Sequence, residues 1–263
     1  SHWYYFVISL FACAIIAFIY IRYTTPVYSV SSTILIRDDN NTQLGAENIL
    51  EGMELFSGKT NINNEIVVLK SFSLIDKVVN ELALGTSYFQ HGFLQSNELY
   101  QNTPFVVKVD SNYQQIVNNE FRIKIIDDKT YNLSCSIDDL NTYNLSTDRL
   151  NKNIKANIEI DDNFLFGQQI KTKFFSFKLV KTKAFDLNAI LENDKDFSFK
   201  LHQRSKLVSN YIEAVAINPI NKETSVLKLK INGENPRKSI DFLNKLGEKY
   251  IDYGLNDKNN MAI

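Results

Sequence analysis

The sequence predicts an α+β chain: an N-terminal transmembrane helix, a mixed α/β domain with a β-rich insert, and a long C-terminal helix. Three observations carry this reading. Trp3 to Ile21 is an apolar run without charge, proline or glycine. After it the hydrophobic period changes from two to about 3.6 and back to two. An Asn-Pro pair at Asn235 and Pro236 then opens a last helical stretch.

Trp3 to Ile21 reads WYYFVISLFACAIIAFIYI and is closed by Arg22. At about 1.5 Å per residue it makes about 28 Å of helix, close to the thickness of a bilayer's hydrocarbon core. Lipid offers the backbone no partners, so the segment must satisfy its own amides, as a helix does. Tyrosine and tryptophan favour the headgroup layers, which makes Trp3, Tyr4 and Tyr5 at one end, and Tyr20 and Arg22 at the other, the expected anchor residues. A cleaved signal would have a shorter apolar core and a small-residue cleavage site, whereas this run passes straight into Arg22-Tyr23-Thr24-Thr25-Pro26. A buried core helix is the remaining competitor.

Tyr28 to Ile36 alternates Tyr28, Val30, Ser32, Ile34 and Ile36 against Ser29, Ser31, Thr33 and Leu35, the pattern of a strand. Arg37 to Gly58 is polar and aperiodic, a loop with a short helix around Ala46 to Leu55. Within Ile62 to Leu82, Leu74, Ile75, Val78, Val79 and Leu82 share one face at helical spacing, and Gly85 follows as a stop. Ser71 or Ser73 can cap, which predicts two helices broken near Ser71. From Phe105 the period is two again. FVVKV at Phe105, FRIKI at Phe121, and FSFKL at Phe175 and Phe197 each place three apolar side chains on one face and a lysine on the other. Half-buried antiparallel strands converge on this pattern, and a duplicated β unit is the alternative.

Tyr211 to Ile217 and Ser225 to Ile231 read as two strands joined by Asn218-Pro219-Ile220-Asn221. Asn235 as N-cap and Pro236 as first residue start a helix that reaches at least Lys258. On it Ile240, Leu243, Gly247, Tyr250 and Gly254 recur at alternating spacings of three and four. The two glycines suit close helix packing, or are incidental on a solvated helix. The segments expected are thus a membrane helix (1–23), a first α/β part (24–104), the insert (105–204), and the return strands with the start of the long helix (205–263).

Composition excludes more than it assigns. Lys and Arg (29) nearly balance Asp and Glu (30) and are interspersed with them, which offers no nucleic-acid surface. The two cysteines, Cys13 in the apolar run and Cys135 far along the chain, are not expected to pair. His2, His91 and His202 lack ligand spacing, so no metal is expected. Ser57-Gly58-Lys59-Thr60 resembles the tail of a phosphate loop, but position 53, where the motif needs its first glycine, is Met53. Asp161-Asp162-Asn163 lacks calcium-loop spacing. No catalytic residue and no cofactor are expected in this stretch. The start at Ser1 and the helical character still present at Asp257 and Lys258 read as a piece of a longer polypeptide.

The order of elements, with Pro26, Tyr28 and Ile34 to Arg37 after the anchor, then Asn64, Glu65, Leu69, Lys70, Ser71, Val78, Val79, Leu82 and Leu84, and finally Asn235, Pro236, Leu243, Asn244 and Tyr250, resembles the polysaccharide co-polymerases. This is the chain-length determinant (Wzz) domain family, and the resemblance is strongest to the N-terminal part of the Wzc-like capsular and exopolysaccharide tyrosine autokinases. The resemblance implies a Wzz-type domain in the periplasm, anchored in the bacterial cytoplasmic membrane by a single span in this stretch. It implies a long helix leading back to a second span and, in the autokinase branch, a cytoplasmic kinase beyond it. It also implies a homo-oligomeric ring working with the polysaccharide polymerase and export machinery to regulate capsule, exopolysaccharide or O-antigen length. Residues facing neighbours would then include Glu65, Leu69, Ile240, Leu243, Gly247 and Tyr250. The insert is longer and more β-rich than the family's minimal domain. The alternative is an extracytoplasmic ligand-sensing domain of a membrane receptor, with the insert as sensor. A pump adaptor would show paired heptads and a lipoyl-like half motif, and neither is present.

Overall fold

A computed structural model describes residues 2–24, 26–36, 62–92, 96–192, 195–221 and 225–261. Helix α1 (Trp3–Tyr23) stands clear of the rest: no part of its apolar span is buried, as an anchor requires and a core helix does not allow. Strand β1 (Tyr28–Leu35) follows within a few residues, and the Ile36 N–H then donates to the Ser225 carbonyl at 2.7 Å. The loop expected from Arg37, with its short helix and the Ser57-Gly58-Lys59-Thr60 stretch, lies outside the described residues.

A helix over 62–69 (α2) and helix α3 (Phe72–Glu81) break at Ser71, whose Oγ accepts the Leu74 N–H at 3.3 Å. This is the expected cap. Leu74, Ile75, Val78 and Val79 are buried, and Leu82 is partly so. The turn that ends α3 takes its left-handed residue at Ala83 (φ 52°) and not at Gly85.

The insert contributes β2 (Thr86–His91), β3 (Ser96–Leu99), β4 (Phe105–Val109), β5 (Gln114–Ile116), β6 (Glu120–Ile125), β7 (Thr130–Ile137), β8 (Leu140–Asn144), β9 (Arg149–Ile154), β10 (Ile158–Leu165), β11 (Ile170–Lys171), β12 (Ser176–Lys181), helix α4 (Leu187–Glu192) and β13 (Asp196–Leu201). They form a six-stranded antiparallel sheet in the order β10-β7-β6-β13-β2-β3 and two three-stranded ones, β11-β12-β4 and β5-β8-β9. Since β2 and β3 belong to the large sheet, this lobe starts at Thr86, well before Phe105.

The four Phe-Lys pentads pair two by two, β6 with β13 and β4 with β12. Phe121 lies opposite Phe199 in one pair, whereas Val109 lies opposite Phe177 in the other, so equivalent positions are not in equivalent register. Convergence explains this better than duplication. Phe121, from the large sheet, is fully buried and meets Phe175, Phe177 and Phe199 at centroid distances of 5.4, 5.4 and 5.0 Å. The sheets therefore pack through interlocked rings, edge-on and offset, the arrangements aromatic pairs prefer.

The return leg differs from the expectation. Helix α5 (Arg204–Ala214) occupies the first half of the segment expected as a strand from Tyr211, and only β14 (Ala216–Pro219) is extended. Leu207, Val208, Tyr211 and Ile212 fall on one helical face and pack in the core that holds Leu74, Val78 and Leu227, apart from that of the insert. The β-branched end of the segment alone carried the strand signal. β15 (Val226–Gly233) takes the place of the strand expected from Ser225; it buries Leu227, Leu229 and Ile231 and exposes Lys228 and Lys230.

Helix α6 (Pro236–Met261) starts where Asn235 Oδ1 accepts the Lys238 N–H at 3.1 Å. The strand β15 lies between β1 and β14, antiparallel to both, and α3, α5 and α6 complete a second core. We call this lobe the base. Tyr28 faces Gly233, while a side chain at Gly247 would meet Ile34 Cδ1 at 3.6 Å. Hence α6 begins at the anchor end of the strand pair and climbs away from it.

Replacing Val78 by Asp buries an unpaired charge between α3 and α6. It should lower the unfolding free energy by about 4 kcal/mol or more in a denaturant titration. Ser71→Ala, which removes only the cap, should cost about 1 kcal/mol.

Candidate functional site

Base and insert are joined by a polar neck where the chain crosses twice, and the His202 N–H donates to the Gly85 carbonyl at 2.9 Å between the crossings. Around it, His202 Nε2 lies 2.9 Å from Ser87 Oγ, which donates to Glu98 Oε1 at 3.1 Å. Lys238 Nζ reaches the same carboxylate oxygen at 2.6 Å, and Asn235 Nδ2 donates to the Glu98 carbonyl at 3.2 Å. The Glu98 and Lys238 side chains are only 15% and 19% exposed, so the pair is shielded from water. Burial opposes the charge on Lys238, but Tyr211 and Glu98 outweigh it and raise its pKa above the ordinary value. Arg204 forms a two-pronged ion pair with Asp76, tying α5 to α3. The neck positions the insert on the base.

His91 acts as a staple across the large sheet. Its Nδ1 lies 2.7 Å from Ser96 Oγ, and its Nε2 lies 2.8 Å from Ser198 Oγ and 3.0 Å from Glu120 Oε1. Among the described residues no group of histidines, cysteines and carboxylates could hold a metal ion. Cys13 and Cys135 are both free, and burial pushes the Cys135 thiol up to about 11.

The anchor residues Trp3, Tyr4, Tyr5 and Tyr20 are all exposed on α1, and Arg22 lies in its last turn. Most residues expected to face neighbouring copies are engaged within the chain. Leu69 and Leu243 are core residues, Gly247 abuts Ile34, and the Tyr250 hydroxyl donates to Glu65 Oε2 at 2.7 Å. Burial and Glu65 together raise the Tyr250 pKa. Ile240 alone keeps an open side chain. The apolar surface that is exposed lies elsewhere on the same helices, at Val67, Phe72, Ile251, Tyr253 and Leu255. Helical spacing could not separate these from the buried face without knowing what packs on each side.

Residues 1–82 match the family model Wzz, described as chain length determinant protein. This stretch is similar to chain length determinant proteins. The match runs through α1, β1, α2 and α3, the elements on which the resemblance read from the sequence began. The insert, the return strands and α6 lie beyond it. No curated protein matches the chain.

Burial, helped by Lys238 and Lys200 and opposed by Glu98, lowers the His202 pKa to about 4. A histidine whose folded pKa lies below its unfolded value of about 6.5 leaves stability intact above pH 6.5. That contribution is lost progressively as pH falls to about 4, because only the unfolded chain takes up the proton. Denaturant titrations from pH 8 to pH 4 should show this loss, and His202→Gln should flatten it. Glu98→Gln, which leaves Lys238 shielded without its counter-charge, should cost about 2 kcal/mol. That is less than for a fully buried pair because water still reaches both side chains.

Proposed function

We propose that this chain is the extracytoplasmic part of a polysaccharide co-polymerase. It sits on the outer face of the bacterial cytoplasmic membrane and regulates the chain length and export of capsular polysaccharide, exopolysaccharide or O-antigen. The observation that carries this reading is the chain length determinant match over 1–82, which coincides with an unburied apolar helix leading directly into the base. The chain works as a homo-oligomer, a closed ring of copies standing on the membrane beside the polymerase and exporter. Neighbours meet through the exposed apolar residues Val67, Phe72, Ile240 and Ile251 on the outside of the helical layer. A cytoplasmic tyrosine kinase completes the system in the autokinase branch of the family.

Cells lacking the gene should make surface and secreted polysaccharide of altered length or fail to export it, with the profile restored by the full-length gene. An unchanged profile on gel electrophoresis and size-exclusion chromatography would overturn the reading and favour a ligand-sensing receptor. Ile240→Glu combined with Ile251→Glu should reduce the mass of the detergent-solubilised assembly measured by light scattering, without altering the thermal unfolding of the domain.

A further inference from the structure

The large sheet is split along its middle. Strands β6 and β7 pair from Ile125 and Tyr131 to Arg122 and Ser134, and their described pairing ends there. Beyond that point Glu120 and Phe121 stay with β13, while Cys135 to Ile137 stay with β10. The two halves diverge around a groove of about 470 Å³ on the lobe surface. Glu120 and Arg122 line one side of it; Ser134, Ser136, Glu159 and Asp161 line the other. Arg122 and Ser134 also border a second hollow of about 340 Å³ with His91, Asn132 and Asp196, so the two hollows adjoin at Arg122.

The chemistry of this groove is unlike that of a plain solvated strand face. Exposed Arg122 makes no ion pair or side-chain hydrogen bond among the described residues, although three carboxylates line the same groove. Its neighbours across the strands, Ser134 and Ser198, are small and leave the guanidinium standing over a low floor. On the far strands, Asn132 Nδ2 donates to Asp161 Oδ1 at 2.8 Å and to Asn163 Oδ1 at 3.2 Å, which fixes these amides and carboxylates in place.

We infer that this groove binds a neutral segment of a saccharide chain. Vicinal hydroxyls both donate and accept, and the groove offers carboxylates and hydroxyls to accept from them and a fork of guanidinium donors to serve them. Across the two hollows Arg122 and Lys124 stand among four carboxylates, Glu120, Glu159, Asp161 and Asp196, a balance that repels an anionic ligand. An added peptide strand fits poorly, because the freed edges, Glu120 to Phe121 and Cys135 to Ile137, are only two or three residues long. The inference rests on the co-polymerase reading only for the source of the saccharide.

The probe is the surface polysaccharide of the cells that carry the protein, cut to oligosaccharides and divided by anion exchange into neutral and acidic pools. Binding to the full chain in lipid nanodiscs is measured by calorimetry and saturation-transfer NMR. The neutral pool should bind, and Arg122→Ala and Glu159→Gln, both at exposed positions, should each weaken it about tenfold with thermal unfolding unchanged. No binding, a preference for the acidic pool, or affinity unmoved by both variants would overturn the inference. If polymer length still depends on the gene while these binding results fail, the groove assignment falls alone. If neutral glycan binds through Arg122 and polymer length is indifferent to the gene, the co-polymerase reading falls and the groove stands.

Discussion

The strand that leaves the anchor and the strand that returns close on each other along their whole length, from Tyr28 opposite Gly233 to Leu35 opposite Val226. Everything in the base is placed by that pairing. It turns Val30, Ile34, Leu227, Leu229 and Ile231 to one face, and a sheet with one apolar face must cover it. Helices α3, α5 and α6 do so, with Tyr211 stacked on Phe242 at 4.4 Å where α5 meets α6. Close approach at the strand end explains Gly233: a Cβ there would stand 2.8 Å from Ser239 Oγ in the first turn of α6.

The insert is a second, independent solution to the same problem. Its core is built on aromatic rings, with Phe121 at the centre and Phe105 set edge-on between Tyr88 and Phe197. The Tyr88 hydroxyl also accepts the Val107 N–H at 3.0 Å, so the ring that packs the core locks β4 to β2. Two cores joined by a narrow polar neck leave the insert with a surface of its own.

What the sequence made legible were features written locally. The apolar run, the Ser71 break, the alternation of β1 and β15 and the Asn235 and Pro236 start each depend on residues within a turn or two of each other, and each is found where expected. Helix α5 was hidden because the segment from Tyr211 to Ile217 joins the end of a helical face to a β-branched run, and packing against α3 decides where one gives way to the other. The neck was illegible for another reason: Glu98 and Lys238 are 140 positions apart, and nothing in either neighbourhood marks them as partners. Leu243 and Ile240 lie on one seam in the sequence, and only the packing of β1 and α3 on α6 shows which of them is covered within the chain. The groove depends on where the pairing of β6 and β7 stops, a property of two strands together.

The direction of α6 has a mechanical meaning. Tyr28 and Gly233 lie at the same end of the strand pair, so a pull between the anchor and the start of α6 would peel β1 from β15 one rung at a time. Phe242, Leu243 and Leu246, buried farther along α6, carry the load across the sheet instead. A force entering high on the helix then meets the whole strand ladder in shear and passes through β1 to the end that leads to α1.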